Sequence, residues 1–293
     1  MYVIAYDVGT TGLKSCLFSI GKGQPIKLIA AESESYDLYV LDNGGVEQDP
    51  DQWWDAMCIT TPKLLQKAGL DKKDIAGISF CAQMQAVVLV DKDGKHVMNS
   101  MSYMDNRGKE QIEKLMRKGP KIAGMNAWKL LRSLQLTGAV SGSVKDPVYK
   151  YRWVADNEPE IMARTYKWLD VKDYLVCRST GKFTMSMDSA FSTLVCDTRK
   201  GKEAFSPVVC KMMDVNMEHL PEIVLSTDNV GGMTETAAQE LGLEVGTPVF
   251  SGGGDASLIG VGAGATEAGD THMYMGTSGW VCTVVDKQVL DVG

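Results

Sequence analysis

The chain of 293 residues has room for one large domain or two ordinary ones, and 44% apolar with 23% charged residues is the balance of a soluble globular protein. A net charge of −7 without a basic cluster, and no apolar run near the roughly 18 residues of a membrane span, argue against nucleic acid and membrane as partners. Seven scattered cysteines, with no CxxC pair, exclude a disulfide framework and a zinc site and point to a reducing, cytoplasmic setting. Residues 2–6, 13–19 and 26–36 read as strands separated by the turn signals DVGTTG and GKGQP, which predicts an antiparallel meander. Asp7 interrupts the first apolar run too early for a signal peptide. In QDPDQWWDAMCITTPKLLQKAG, Asp49 is placed to cap a helix, Pro50 suits its first turn and Gly69 its end. Pro62 argues against one unbroken helix there. Residues 75–91 give two short strands hinged at Ala82–Gln85 and closed by the turn DKDG. Helices follow within 106–136, at 148–156 and at 158–164; then come a strand YKWLDV, a helix KDYLVCRS, and final strands at 271–276 and 280–286. This alternation predicts an α/β fold with a central mixed sheet flanked by helices.

Most familiar catalytic patterns are missing. No GxxxxGK[ST] loop occurs, the glycines of GVGAGATEAG have the wrong spacing for a dinucleotide turn, and His96, His219 and His272 stand outside HExxH and GxSxG contexts. What remains is acidic and glycine-rich. AYDVGTTGLKSCLF and MYMGTSGWVCTVV share one shape, a strand, a Gly-Thr-(Thr/Ser)-Gly tip and a second strand. Such tips offer hydroxyls and approachable N–H groups to phosphate oxygens, or are simply hairpin turns. Asp7, beside Gly9, Thr10 and Thr11, can hold Mg²⁺ directly or through water, or can bond its own turn. Asp255 follows three glycines at a helix start, where it can act on a closely approaching ligand or cap the helix. Asp105 and Arg107 either pair with each other or reach a polar ligand, while Trp53, Trp54 and the 17 methionines read as core.

Taken in order, AYDVGTTGLKS, EQDPDQWW, GISFCAQMQAVVLVD, YMDNRG, YKYRWVADNEPEIM, WLDVKDYL, GGGDASLIGVGAG and YMGTSGWVC resemble the FGGY carbohydrate kinases, most closely the xylulokinase-like branch. The resemblance runs nearly end to end. It implies an actin-like, ribonuclease-H-like core with an ATP site in an interdomain cleft. It also implies Mg²⁺ at Asp7, phosphates near Gly9, Thr10 and Thr11, and a second phosphate loop at Gly276, Thr277 and Ser278. Asp255 matches the general base that takes the proton of the sugar hydroxyl. Met84, Gln85, Tyr103 and Asp105 match sugar-contacting positions. The implied partner is a small sugar, and a homodimer is compatible with the family.

Three positions depart from the xylulokinase pattern: Gln85 stands where that pattern has His, Tyr103 where it has Trp, and Ala256 where it often has Asn. The expected substrate is therefore a pentulose such as D-xylulose, with another ketose or a polyol as the alternative. Family chains continue well past this length, so residues 1–254 read as the N-terminal sugar-kinase domain and 255–293 as a truncated start of the nucleotide-binding domain. Two other readings stand beside the kinase, a non-catalytic sugar- or partner-binding module and an actin-like chaperone ATPase.

Overall fold

A computed structural model describes residues 1–276 and 279–287. β1 (Tyr2–Val8), β2 (Gly12–Ser19) and β3 (Lys27–Ser35) form the expected meander, with Tyr2 opposite Ser19 and Gly12 opposite Ser35. Ile4, Tyr6 and Val8 are buried along β1, the period-two face of a strand packed on a core.

That core is closed by α1 (Pro50–Ala68). Its ends follow the sequence: the Asp49 carboxylate accepts the N–H of Asp51, Pro50 opens the first turn, and Gly69 ends the helix in the left-handed conformation. The expected interruption at Pro62 does not occur. Proline in a helix interior costs about 3 kcal/mol. Trp53, Trp54, Met57, Leu64 and Leu65 are buried on either side of it, and each such side chain contributes about 1.5–3 kcal/mol. Packing wins. Hydroxyls add a tie to the sheet, with Tyr6 Oη 2.8 Å from Thr61 Oγ1 and Ser15 Oγ 2.7 Å from Thr60 Oγ1.

β4 (Ile75–Ala82) runs parallel to β1. The next segment, Val88–Val90, lies between two cores, Val88 and Val90 facing the sheet core and Val87 and Leu89 the other. Burial on both faces explains its continuous apolar run. The second core is built by α2 (Lys109–Met116), α3 (Ala127–Thr137) and α4 (Pro147–Asn157), followed by α5 (Pro159–Arg164). The predicted strand in YKWLDV is short, Lys167–Leu169, and pairs antiparallel with Val88–Val90 instead of joining the main sheet.

α6 (Val171–Thr180), α7 (Met187–Ser192) and α8 (Pro207–Met213) precede β5 (Asn229–Gly232), α9 (Glu235–Leu241), β6 (Pro248–Phe250) and β7 (Gly253–Gly254). The main sheet has seven strands in the order β5-β6-β4-β1-β2-β3, with β7 also on β4. α10 (Asp255–Gly262) leaves its edge, and β8 (Thr271–Met275) and β9 (Gly279–Thr283) pair as a separate hairpin.

In the second core, Tyr151 stacks on Trp168 with ring centroids 5.0 Å apart, and its hydroxyl lies 2.9 Å from His219 Nδ1. Burial, with Lys167 nearby, lowers the His219 pKa below the 6.5 of a free imidazole. The unfolded chain then takes up the proton first on acidification, so His219 contributes stability that is present above about pH 6.5 and lost below it. Urea unfolding compared at neutral and mildly acid pH should show this slope, and His219→Gln should flatten it. An unchanged slope in the variant would assign the acid sensitivity elsewhere.

Candidate functional site

Three parallel strands end together. Asp7 of β1 and Gly253 of β7 both stand opposite Cys81 of β4, and Val8 and Gly254 both stand opposite Ala82. With neighbouring strands about 4.8 Å apart, this register brings Asp7 and the start of α10, with Asp255, to one edge of the sheet. The carboxyl ends of parallel strands are where open α/β sheets form ligand crevices. A cleft of about 870 Å³ opens there, lined by Asp7, Cys81 and Asp255, by the turn Gly9–Gly12, by Gln83, Met84, Gln85 and Tyr103, and by Tyr274 and Trp280 of the hairpin.

The turn has a definite polarity. Gly9 C=O accepts from Tyr36 Oη (2.6 Å) and Gln83 Nε2 (2.9 Å), and Thr10 C=O accepts from Gln48 Nε2 (2.8 Å). Thr11 C=O accepts the Tyr36 N–H (3.2 Å), and Gly12 C=O accepts the Gly9 N–H (3.0 Å). Every carbonyl from 9 to 12 is thus occupied, while the N–H groups of Thr10 and Thr11 have no acceptor among the described residues. Such a turn presents donors and suits an anion.

The carboxylates have the opposite character. Burial raises the Asp255 pKa above the usual carboxylate range, and the charge of Asp7 adds to this against the N–H of Ala256. Burial likewise raises Asp7, opposed by Lys14 and by a hydrogen bond from Cys81. The Cys81 thiol is pushed up to about 12 by burial and then by both aspartates, so it stays neutral. Lys14 is the one cationic side chain among the described cleft-lining residues. Two partly buried carboxylates with so little positive charge beside them have the chemistry to take a hard divalent cation.

Asp255 is the first residue of α10, and Gly254 is the N-cap. Its carboxylate accepts the N–H of Ala256 (2.8 Å), a first-turn donor, from the first helical position and not from the N-cap. Met84, Gln85 and Tyr103 do line the cleft, Tyr103 Oη lying 3.4 Å from Thr10 Oγ1. Asp105 does not. It is fully buried away from the cleft, bonded to the Arg107 guanidinium (2.6 Å) and to the Val46 N–H (3.0 Å). Arg107 in turn pairs with Glu47 (2.7 Å) and lies over the Trp153 ring. That motif is a buried ion pair, and neither residue is part of the cleft lining. Gly276 follows β8 and is exposed, outside the cleft lining. Thr277 and Ser278 lie outside the described residues.

The sequence reading passed over Tyr36, Gln48 and Gln83, which occupy the turn carbonyls, and Asp188, whose carboxylate accepts the Gly254 N–H (2.6 Å). None stands in a glycine context; only the adjacency of Gln83 to Met84 pointed toward the cleft. Elsewhere, Asp49, Asp51 and His96 form a cluster of metal-capable groups among the described residues, but Arg178 and His96 already pair with Asp51. No described helix is long and apolar enough to cross a membrane.

Residues 2–262 match the N-terminal domain of the FGGY family of carbohydrate kinases. The xylulose kinase of Bacillus subtilis (strain 168) is 30% identical over 292 residues, covering 99% of this chain and 55% of that protein. The gluconokinase of Bacillus licheniformis is 27% identical over 99% of this chain and 53% of its own length. Among solved structures, the ligand-bound xylulose kinase from Lactobacillus acidophilus superposes with a TM-score of 0.85 at 27% identity, covering 99% of this chain and 56% of that one. The gluconate kinase from the same organism gives 0.83 at 27% identity, over 98% and 54%. The chain spans about half the length of the relatives it matches, and its mixed sheet with flanking helices is the actin-like ATPase fold of these kinases. Domain match, relatives and fold agree that the chain belongs to the FGGY family of carbohydrate kinases.

Proposed function

We propose that a protein carrying this chain transfers a phosphoryl group from ATP to a hydroxyl of a small sugar, a pentulose such as D-xylulose first, another ketose or a polyol second. The observation that carries this reading is the meeting of Asp7, Asp255 and a turn with free N–H groups at the ends of three parallel strands. Relatives described as xylulose kinases and gluconokinases support the substrate class.

Asp255 accepts the proton that the sugar hydroxyl loses, a contribution of about 10²–10⁴-fold in such reactions. Gly9, Thr10 and Thr11 bind phosphate oxygens through N–H and hydroxyl groups, and Gly276, Thr277 and Ser278 are proposed as a second phosphate loop. Met84, Gln85 and Tyr103 face the sugar. Asp7 holds Mg²⁺. When bound, Mg²⁺ supplies the charge neutralisation that phosphoryl transfer requires. The raised pKa of Asp255 also suits the role, because a weaker acid is a stronger base once ionised. All seven cysteines are free, which supports a cytoplasmic setting.

The test is ADP release from Mg-ATP with D-xylulose, D-ribulose, D-gluconate or glycerol added singly, run beside calorimetric titration of each. A pentulose should both bind saturably and stimulate ADP release. Saturable binding with no release under any sugar would replace transfer by a binding role. ATP turnover indifferent to all four would favour a different actin-like ATPase.

A further inference from the structure

Gln85 lines the cleft with a φ of +64°, in the left-handed region that side-chain-bearing residues seldom enter. Such a conformation persists only where its surroundings over-determine it. Here two buried charges do so. The Asp170 carboxylate accepts the N–H of Gln85 (2.9 Å) and of Ala86 (3.0 Å), and Lys150 Nζ donates to the Gln85 C=O. Lys150 is 0% exposed and Asp170 4%.

The same ammonium donates to the C=O of Ser102 (2.9 Å), the residue before Tyr103. One buried cation therefore ties together the two segments that bring Gln85 and Tyr103 to the cleft. Its partners are carbonyls, and no carboxylate lies within ion-pair distance of it among the described residues. Burying a charge is expensive unless geometry compensates, and an apolar residue would fill this place in α4 at less cost.

We propose that Lys150 and Asp170 are positioning residues that set the sugar selectivity of the cleft, by clamping the peptide groups on both sides of Gln85 so that its amide addresses a vicinal diol of a ketose in one fixed orientation. This rests on the reading of Gln85 as a sugar-facing side chain. An amide offers an acceptor and donors at fixed spacing, so it distinguishes a threo from an erythro pair of hydroxyls only while its backbone is held. D-xylulose and D-ribulose differ in that respect alone, at C3.

The experiment is calorimetric Kd measurement for both sugars on the wild type, Lys150→Met, Gln85→Ala and the double variant, with thermal melting alongside. The wild type should separate the epimers about tenfold, a difference of about 1.4 kcal/mol. Lys150→Met should bring that ratio close to one, and on the Gln85→Ala background it should change the ratio by less than about twofold, the signature of action through Gln85. A preserved ratio in Lys150→Met, or an equal change on both backgrounds, overturns the proposal. A lower melting temperature with the ratio intact does the same, because it marks a purely structural role. If Lys150→Met does not fold, Asp170→Asn is read by the same two outcomes, since the near-isosteric amide loses one of the acceptors on the clamp. A wild type that binds neither sugar removes the pentulose reading of the cleft, and the clamp's part in selectivity with it.

Discussion

Asp255→Ala is expected to lower sugar-dependent ADP formation by about 10³-fold or more, while sugar affinity and melting temperature stay close to wild type. The structure separates these readouts. Among the described residues the carboxylate is hydrogen-bonded to the N–H of the next residue and makes no salt bridge. Gly254 is the N-cap, so helix α10 loses little when the side chain is shortened. Removing a negative charge beside Asp7 also relieves repulsion, which offsets the lost hydrogen bond. The role has a pH signature as well. A base must be ionised to act, and burial raises its pKa above the 3.8 of an ordinary aspartate. Turnover in the wild type should therefore rise with pH through that raised value and then level off. Turnover in Asp255→Ala within a few-fold of wild type would remove this residue from the mechanism.

Gly252→Ala should be strongly destabilising for a single added methyl group. Gly252 has a φ of +69°, and a Cβ there would lie 2.1 Å from the Phe80 carbonyl oxygen and 2.8 Å from its nitrogen. These are backbone atoms in the middle of β4, so nothing flexible can move aside. The crowding has a cause in the strand register. Between the pairings Val249–Ile78 and Gly253–Cys81 the chain from β6 to β7 carries one more residue than β4 does, a bulge that presses residue 252 against Phe80. The N–H groups of Ser251 and Gly252 turn away to Asp228 and Ser226. Alanine forces β7 off β4, and we expect a loss of about 3–5 kcal/mol in urea unfolding. Gly201→Ala is the control, with a φ of +77° but nothing within 4 Å of the added carbon; it should cost about 1 kcal/mol, for conformation alone. Equal losses at the two sites would show that the clash is absorbed. Because β7 leads directly into Asp255, the first variant should also lose ADP formation in whatever fraction remains folded.

What was legible in the sequence had local causes. The meander shows itself because apolar residues alternate between turn signals, and Asp7 and Asp255 stand out because glycines surround them. Met84, Gln85 and Tyr103 emerged from the family resemblance, and the cleft does contain them. The less legible features are tertiary. Pro62 reads as a break until the buried side chains on both sides of it are counted. Asp105 with Arg107 reads the same whether the pair meets a ligand or itself, and only burial decides. YKWLDV has strand chemistry, yet its partner is Val88–Val90, a choice made by the second core. Tyr36, Gln48, Lys150 and Asp170 act on backbone groups far away in the chain, and no spacing rule reaches that distance.

The occupied carbonyls of the 9–12 turn have one further consequence. With two free N–H groups and every carbonyl already bonded, the turn favours negative charge, while the nearby carboxylates favour positive charge. A molecule that is anionic at one end and neutral or cation-bearing at the other is therefore expected to enter in a single orientation, whatever its shape. The cleft works as a compass first and a mould second.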